Sequence, residues 1–266
     1  MKFSTKEEKK YQKTFLKNGY LIFDIKNKKI LDEIKNLTIK LCIKWLKKKK
    51  NFFVIKNKKD ILDKIHNFIE PKELNEFRLY IYGSINGSKN FQKLYYNLGK
   101  EYIDILCGNE LVMQKKCNLS IQLPKDDSSL LPLHADVWVG DSEYELVFWL
   151  PLVNVYKTKA MYILPPKDND KYSKNFKKYR SVNDIFNKVK KNIKWLKVDY
   201  GQGLLFTQNL MHGNVVNVEK GTRWSFNCRF KSIFSPYRDK ELGAFFTPIT
   251  VRPLTILGMN YKFPNV

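Results

Sequence analysis

Residues 223–230 alternate without exception: Arg223, Ser225, Asn227 and Arg229 are polar, whereas Trp224, Phe226, Cys228 and Phe230 are apolar. Successive strand residues point to opposite sides, so this stretch predicts a strand with one wholly polar and one wholly apolar face. In a layered β fold the apolar face packs on a neighbouring layer. The polar face then carries two arginines inward, and a guanidinium without an anionic partner is costly there. A bound dicarboxylate removes that cost, because guanidinium pairs bidentately with a carboxylate. Only six of the 49 basic residues are arginines, so two on one strand face carry weight.

The same texture holds from about Asn118 onward. Residues 121–123, 133–139, 145–153, 160–164 and 198–206 are short β-rich runs separated by Pro, Gly, Asp or Lys. A polar insert interrupts them and contains an expected helix capped by Ser181, with Val182, Ile185, Phe186, Val189 and Ile193 on one face. Many short strands with an insertion suit a jelly roll. The first hundred residues read as helical instead. Ile30, Leu31, Ile34, Leu37, Leu41 and Trp45 recur at helical spacing, and the lysine run 47–50 reads as a solvated helix end. A short helix is expected over 61–69, and a longer one from a Ser88 cap through Phe91, Leu94, Tyr95, Leu98 and Tyr102 to Gly108. The fold expected is α+β: a mainly β jelly-roll core with a helical N-terminal region packed on it. It forms one domain over 1–266, with helices over 1–110, the core over 111–235, an insert at 165–197 and a C-terminal extension from 236.

The chain has three histidines, and two of them fall in one pattern: His134-Ala135-Asp136, then His212, then Arg223-Trp224-Ser225. On a strand, residues two apart share a side, so His134 and Asp136 face one way and Ala135 the other. His212, in a turn-like His-Gly-Asn segment, supplies a third ligand. Two imidazoles and one carboxylate on one face of a metal leave three positions open, which is the ligand set of non-haem Fe(II) oxygenases. Such enzymes hold the distal carboxylate of 2-oxoglutarate with an arginine and a nearby hydroxyl, and Arg223 and Ser225 stand at that offset. Arg229 is expected to serve the other carboxylate end or an anionic substrate, and Gln122 to offer the keto acid a hydrogen bond. The cofactors expected are therefore Fe(II), 2-oxoglutarate and dioxygen, with Asp136 favouring hydroxylation. A lone helical histidine such as His66 reads as a surface or packing residue. Trp138, Trp149 and Tyr156 are more often core than pocket wall. Gly201 and Gly203 read as turn residues, not a phosphate loop.

A formal charge of +23 attracts anions, yet its lysines are dispersed and arginine is scarce. That dispersal argues against nucleic acid as the partner and leaves a small anionic substrate. The four cysteines lack CxxC spacing, which fits reduced, mostly buried thiols. The charged N-terminus shows no secretory signal and no run reaches the length of a membrane span, so a cytoplasmic location is expected.

Residues 118–234 resemble the double-stranded β-helix of Fe(II)/2-oxoglutarate dioxygenases, in the phytanoyl-CoA dioxygenase-like branch. Phe15-Leu16-Lys17-Asn18-Gly19-Tyr20-Leu21-Ile22 resembles the helix-to-strand opening of that branch. The segments 133–142, 227–232 and 235–237 are similar to oxygenases of sporadic bacterial carbohydrate clusters. The resemblance implies oxidative decarboxylation of 2-oxoglutarate to succinate and carbon dioxide, coupled to hydroxylation of a sugar or sugar conjugate for a surface polysaccharide. Two alternatives stand beside it. Arg223 and Arg229 have the Arg-x5-Arg spacing of AlkB-type nucleic-acid demethylases, with Ser225 where asparagine is usual. A jelly roll that binds sugar without catalysis is the other.

Overall fold

The computed structural model describes residues 3–49 and 60–264. Helix α1 (Lys6–Asn18) opens with a reciprocal Thr5–Glu8 capping box and ends at Gly19, whose φ of 73° terminates it in a left-handed turn. A side chain there would also strike Leu210, whose Cδ1 lies 2.5 Å from the site of a Cβ. The reversed chain becomes β1 (Tyr20–Asp24), and α2 (Lys28–Lys48) follows, buried along Leu31, Ile34, Thr38, Ile39, Cys42, Trp45 and Leu46. Lysines 47 and 48 close its last turn and Lys49 pairs with Glu76 at 2.9 Å; Lys50 lies outside the described residues.

Residues 61–69 differ from expectation. Ile61, Leu62, Ile65 and Ile69 are buried as an amphipathic helix would place them, but only a 3₁₀ turn forms, at Ile65–Asn67. The reason is tertiary: the Asp63 carbonyl accepts from the Thr222 N–H at 2.7 Å, so Asn67 bonds Lys64 instead of Asp63. Helix α3 (Leu74–Asn86) lies between the two expected helices, and α4 (Phe91–Cys107) is capped at Asn90 rather than Ser88. The Ser88 carbonyl, not its hydroxyl, receives the Phe91 N–H.

The strands are β2 (Leu111–Gln114), β3 (Asn118–Gln122), β4 (Leu146–Pro151), β5 (Tyr162–Ile163), β6 (Lys194–Trp195), β7 (Gln202–Thr207), β8 (His212–Gly213), β9 (Arg223–Ser232) and β10 (Phe246–Thr250). The insert between β5 and β6 carries α5 (Pro166–Lys174) and α6 (Val182–Val189), the latter capped by Ser181 as expected. A seven-stranded antiparallel sheet runs β1-β7-β4-β9-β2-β10, with β3 also on β9. Ten residues long, β9 has room for both β2 and β3 along one edge. A smaller sheet runs β6-β5-β8, and a His134–His212 bridge extends it. Strand β10 comes from the stretch read as a C-terminal extension. Helix α7 (Pro253–Met259) follows it and buries no residue.

The alternation of β9 becomes two environments. Trp224, Phe226 and Phe230 are fully buried against Phe77, Phe91 and Tyr96 at ring separations of 5.8, 5.2 and 5.9 Å. Trp224 donates its indole N–H to the Leu62 carbonyl at 2.7 Å, and Tyr95 its hydroxyl to that of Phe148 at 2.7 Å, so neither polar tip is buried unpaired. The four cysteines are free, three of them buried. Among the described residues, no helix is long and apolar enough to cross a membrane.

Candidate metal centre

The polar face of β9 looks into a cavity of about 310 Å³ between the two sheets, lined by His134, Asp136, His212, Arg223, Asn227 and Arg229 among others. Val147, Trp149, Met161 and Phe206 form its apolar wall, and Asn118, Ser120 and Asn214 add hydrogen-bonding groups. Of the three aromatics considered from sequence, Trp149 lines this cavity, while Trp138 and Tyr156 are about one-third exposed, at 36% and 37%.

One ligand atom each from His134, Asp136 and His212 lies within 4.8 Å of the others. The local backbone differs from the strand expected over 133–139. His134 joins the small sheet by a single bridge, and Asp136 opens a 3₁₀ helix, Asp136–Val139, closed by the Trp138 N–H on the Ala135 carbonyl at 2.9 Å. The period-two argument survives because Ala135 itself is extended, at φ −121° and ψ 133°. That one residue suffices to aim its two neighbours at the same point. Backbone bonds of 2.9 and 2.8 Å between His134 and His212 bring in the third side chain.

Both imidazoles are held in the tautomer a metal requires. The Nδ1–H of His134 donates to the Pro132 carbonyl at 2.7 Å, and that of His212 to the Leu210 carbonyl at 2.8 Å. A carbonyl only accepts, so each proton sits on Nδ1 and each Nε2 keeps its lone pair. The Nε2 atoms lie 3.4 and 3.9 Å from Asp136 Oδ1. Burial holds His212 neutral down to about 4, against the pull of Asp136. Burial would raise Asp136, but the His134 hydrogen bond and the charges of His212 and Arg229 bring it to about 2. For His134, burial is outweighed by hydrogen bonds to Asp136 and the Pro132 carbonyl, which raise its pKa. An ionised carboxylate facing two imidazole Nε2 atoms is a donor set suited to a divalent metal, which would displace the proton that His134 otherwise shares with Asp136.

The remaining sequence candidates divide. Arg223 is 4% exposed, and its one side-chain hydrogen bond among the described residues is Nη2 to Ser120 Oγ at 2.9 Å. It has no acidic partner among the described residues, and burial alone lowers its pKa to about 10. Arg223 Nε, Ser225 Oγ and Gln122 Oε1 are buried without a hydrogen-bond partner among the described residues. Gln122 does donate Nε2 to the Val215 carbonyl at 2.7 Å, and neither Gln122 nor Ser225 lines the cavity. A buried cation with an unpaired Nε beside the Ser225 hydroxyl offers donors suited to a carboxylate, which the Gln122 oxygen, an acceptor, does not. Arg229 differs, since it sits among Asp136, Asp141 and Glu145 at 3.3, 3.1 and 3.9 Å. Sequence reading missed Asp141, Glu145 and Gln208, all fully buried side chains or nearly so. An acidic residue at the mouth of the apolar run 145–153 was the available signal. His66 is not part of the His134–Asp136–His212 cluster and hydrogen-bonds Thr222 Oγ1 at 2.9 Å.

Burial, reinforced by Asp141, raises Glu145 to about 7, against hydrogen bonds from the Ser142 N–H and Gln208. A carboxyl raised in the folded state contributes stability that is full below the ordinary 4.5 and lost as pH rises to about 7. Glu145→Gln should therefore melt above the wild type at pH 8 and lose that advantage by pH 4.5, as thermal denaturation across that range will show.

No protein-family model matches the chain, and no curated protein matches it. Several solved structures share its fold. The non-heme monooxygenase ThoJ in its apo form aligns at a TM-score of 0.57 and 12% identity, covering 91% of this chain and 84% of that one. EctD from S. alaskensis, solved with 2-oxoglutarate and 5-hydroxyectoine, aligns at 0.54 and 13%, covering 88% and 78%. The epimerase SnoN, in complex with Fe3+, alpha ketoglutarate and nogalamycin RO, aligns at 0.54 and 11%, covering 92% and 96%. At such identities the likeness is one of fold.

Proposed function

We propose that this chain is an Fe(II)- and 2-oxoglutarate-dependent dioxygenase that hydroxylates a sugar or sugar conjugate in surface polysaccharide biosynthesis. The observation that carries the reading is Arg223: a buried cation without a counter-ion among the described residues, lining the same cavity as His134, Asp136 and His212. On this reading the two sheets are the walls of a double-stranded β-helix within a single oxygenase domain of the phytanoyl-CoA dioxygenase-like branch. The fold shared with ThoJ, EctD and SnoN, two of them solved with the keto acid, supports it.

His134 and His212 would offer Nε2, and Asp136 Oδ1, to iron, while Arg223 pairs with the distal carboxylate of the keto acid and the Ser225 hydroxyl donates to it. Gln122 can contribute only through its amide N–H, which already donates to the Val215 carbonyl. Bound together, iron and 2-oxoglutarate supply the oxidising chemistry, using dioxygen as the keto acid is decarboxylated. The protein's own part is positioning and exclusion of water by the Val147, Trp149, Met161 and Phe206 wall. An apolar wall together with amide and hydroxyl groups in the cavity suits a polyhydroxylated ring. The basic surface would steer an anionic conjugate toward it from the cytoplasm.

Decarboxylation of 2-oxoglutarate, followed as succinate formed with a panel of free and nucleotide-linked sugars, tests this. One sugar class should stimulate turnover and gain one oxygen atom. Stimulation confined to methylated single-stranded DNA would replace the sugar with a nucleic acid. No succinate under any condition would leave the non-catalytic sugar-binding reading.

A further inference from the structure

The arginine at the end of the polar face of β9 is not free to receive a ligand. Its Nη2 lies 3.3 Å from Asp136 Oδ2, the oxygen turned away from the imidazoles. Its Nε lies 3.1 Å from Asp141 Oδ1 and donates to Gln208 Oε1 at 3.1 Å. Its Nη1 donates to Gln114 Oε1 at 3.4 Å. Gln208 is held in turn, since its amide donates to Glu145. Groups from β2, from the loop after β7 and from 141–145 thus grip one guanidinium from three directions, with the Arg229 side chain only 14% exposed. Three carboxylates around one arginine leave it no uncompensated positive charge for an incoming anion, unlike Arg223.

We propose that Arg229 is a positioning residue for Asp136: by occupying Oδ2 it leaves Oδ1 alone to face the two imidazoles. This rests on the metal-centre reading above and replaces the expectation that Arg229 binds the keto acid or an anionic substrate. The physical consequence is denticity. A carboxylate with both oxygens free chelates readily and takes two positions on a metal, whereas one whose second oxygen is engaged takes one. Keeping those positions open is what a three-ligand site needs in order to admit co-substrates. A planar fork that spans Asp136 and Asp141 together is also something a lysine ammonium cannot reproduce.

Co(II) is a suitable probe, because its visible d–d absorption reports coordination number without turnover. The full chain would be titrated with Co(II) as wild type, Arg229→Gln, Arg229→Lys and His212→Ala, each followed by 2-oxoglutarate titration of the cobalt-saturated protein. Arg229→Gln should weaken Co(II) by about 10- to 100-fold, the usual cost of losing a group that orients a ligand. It should also change the d–d spectrum and weaken 2-oxoglutarate on the cobalt-saturated protein, because the freed Asp136 oxygen takes a position that co-substrates need. Arg229→Lys should recover part of the affinity but not the spectrum, which a purely structural role would leave unmoved. Wild-type cobalt affinity and spectrum in both variants, with 2-oxoglutarate binding lost, would overturn the proposal in favour of a keto-acid receptor. If Arg229→Gln does not fold, Arg229→Lys decides alone: an unaltered spectrum overturns the proposal. Failure of the parent reading looks different, since the wild type would then bind Co(II) no better than His212→Ala.

Discussion

His212→Ala is expected to lose metal binding and at least about a thousand-fold in turnover, roughly 4 kcal/mol of transition-state stabilisation. The fold should survive. The bonds that place residue 212 beside 134 are backbone to backbone, so they do not depend on the imidazole. Far-ultraviolet circular dichroism should be unchanged while metal titration shows no tight site. His66→Ala is the matching control: it removes the third histidine, whose partner is Thr222, and should keep wild-type metal affinity. Full turnover in His212→Ala would show that the three side chains converge for packing.

Arg223→Met should separate function from stability. Truncating one member of a buried charge pair costs about 2–5 kcal/mol, so the Kd for 2-oxoglutarate should rise from about thirty-fold to several thousand-fold. Without the keto acid the sign reverses or vanishes. The guanidinium is buried without a counter-ion, and an apolar side chain of similar length relieves that penalty at the loss of one hydrogen bond to Ser120, worth about 1 kcal/mol. The metal-loaded variant should thus melt at or above the wild type, yet gain no more than about 0.9 kcal/mol from 2-oxoglutarate at a hundred times the wild-type Kd. The wild type should gain about 2.7 kcal/mol at a hundred times its Kd. A variant that melts far below the wild type and binds the keto acid normally would mean that Arg223 is a structural cation.

Those two residues were legible because their neighbours in sequence are also their neighbours in environment. In β9 a single strand separates an aromatic layer from a cavity, so each face declares its surroundings by composition. The convergence of His134 and Asp136 needs only one extended residue between them, and Ala135 provides it. The 3₁₀ turn that follows was not legible. It depends on Ala135 capturing the Trp138 N–H, a choice that β-rich residue types do not announce. The helix expected over 61–69 failed for a related reason, since the Asp63 carbonyl is claimed by Thr222 from far along the chain. Arg229 shows the limit most sharply. Its type and spacing match Arg223, and only the tertiary arrival of Asp141, Glu145 and Gln208 surrounds it with partners that Arg223 lacks among the described residues.

The most direct measurement is an anaerobic titration of the Fe(II)-loaded protein with 2-oxoglutarate, watching for the weak metal-to-ligand charge-transfer band in the visible. The account predicts a band that saturates in the wild type, vanishes in His212→Ala and requires far more keto acid in Arg223→Met. Iron bound with no band at any concentration of 2-oxoglutarate would contradict it.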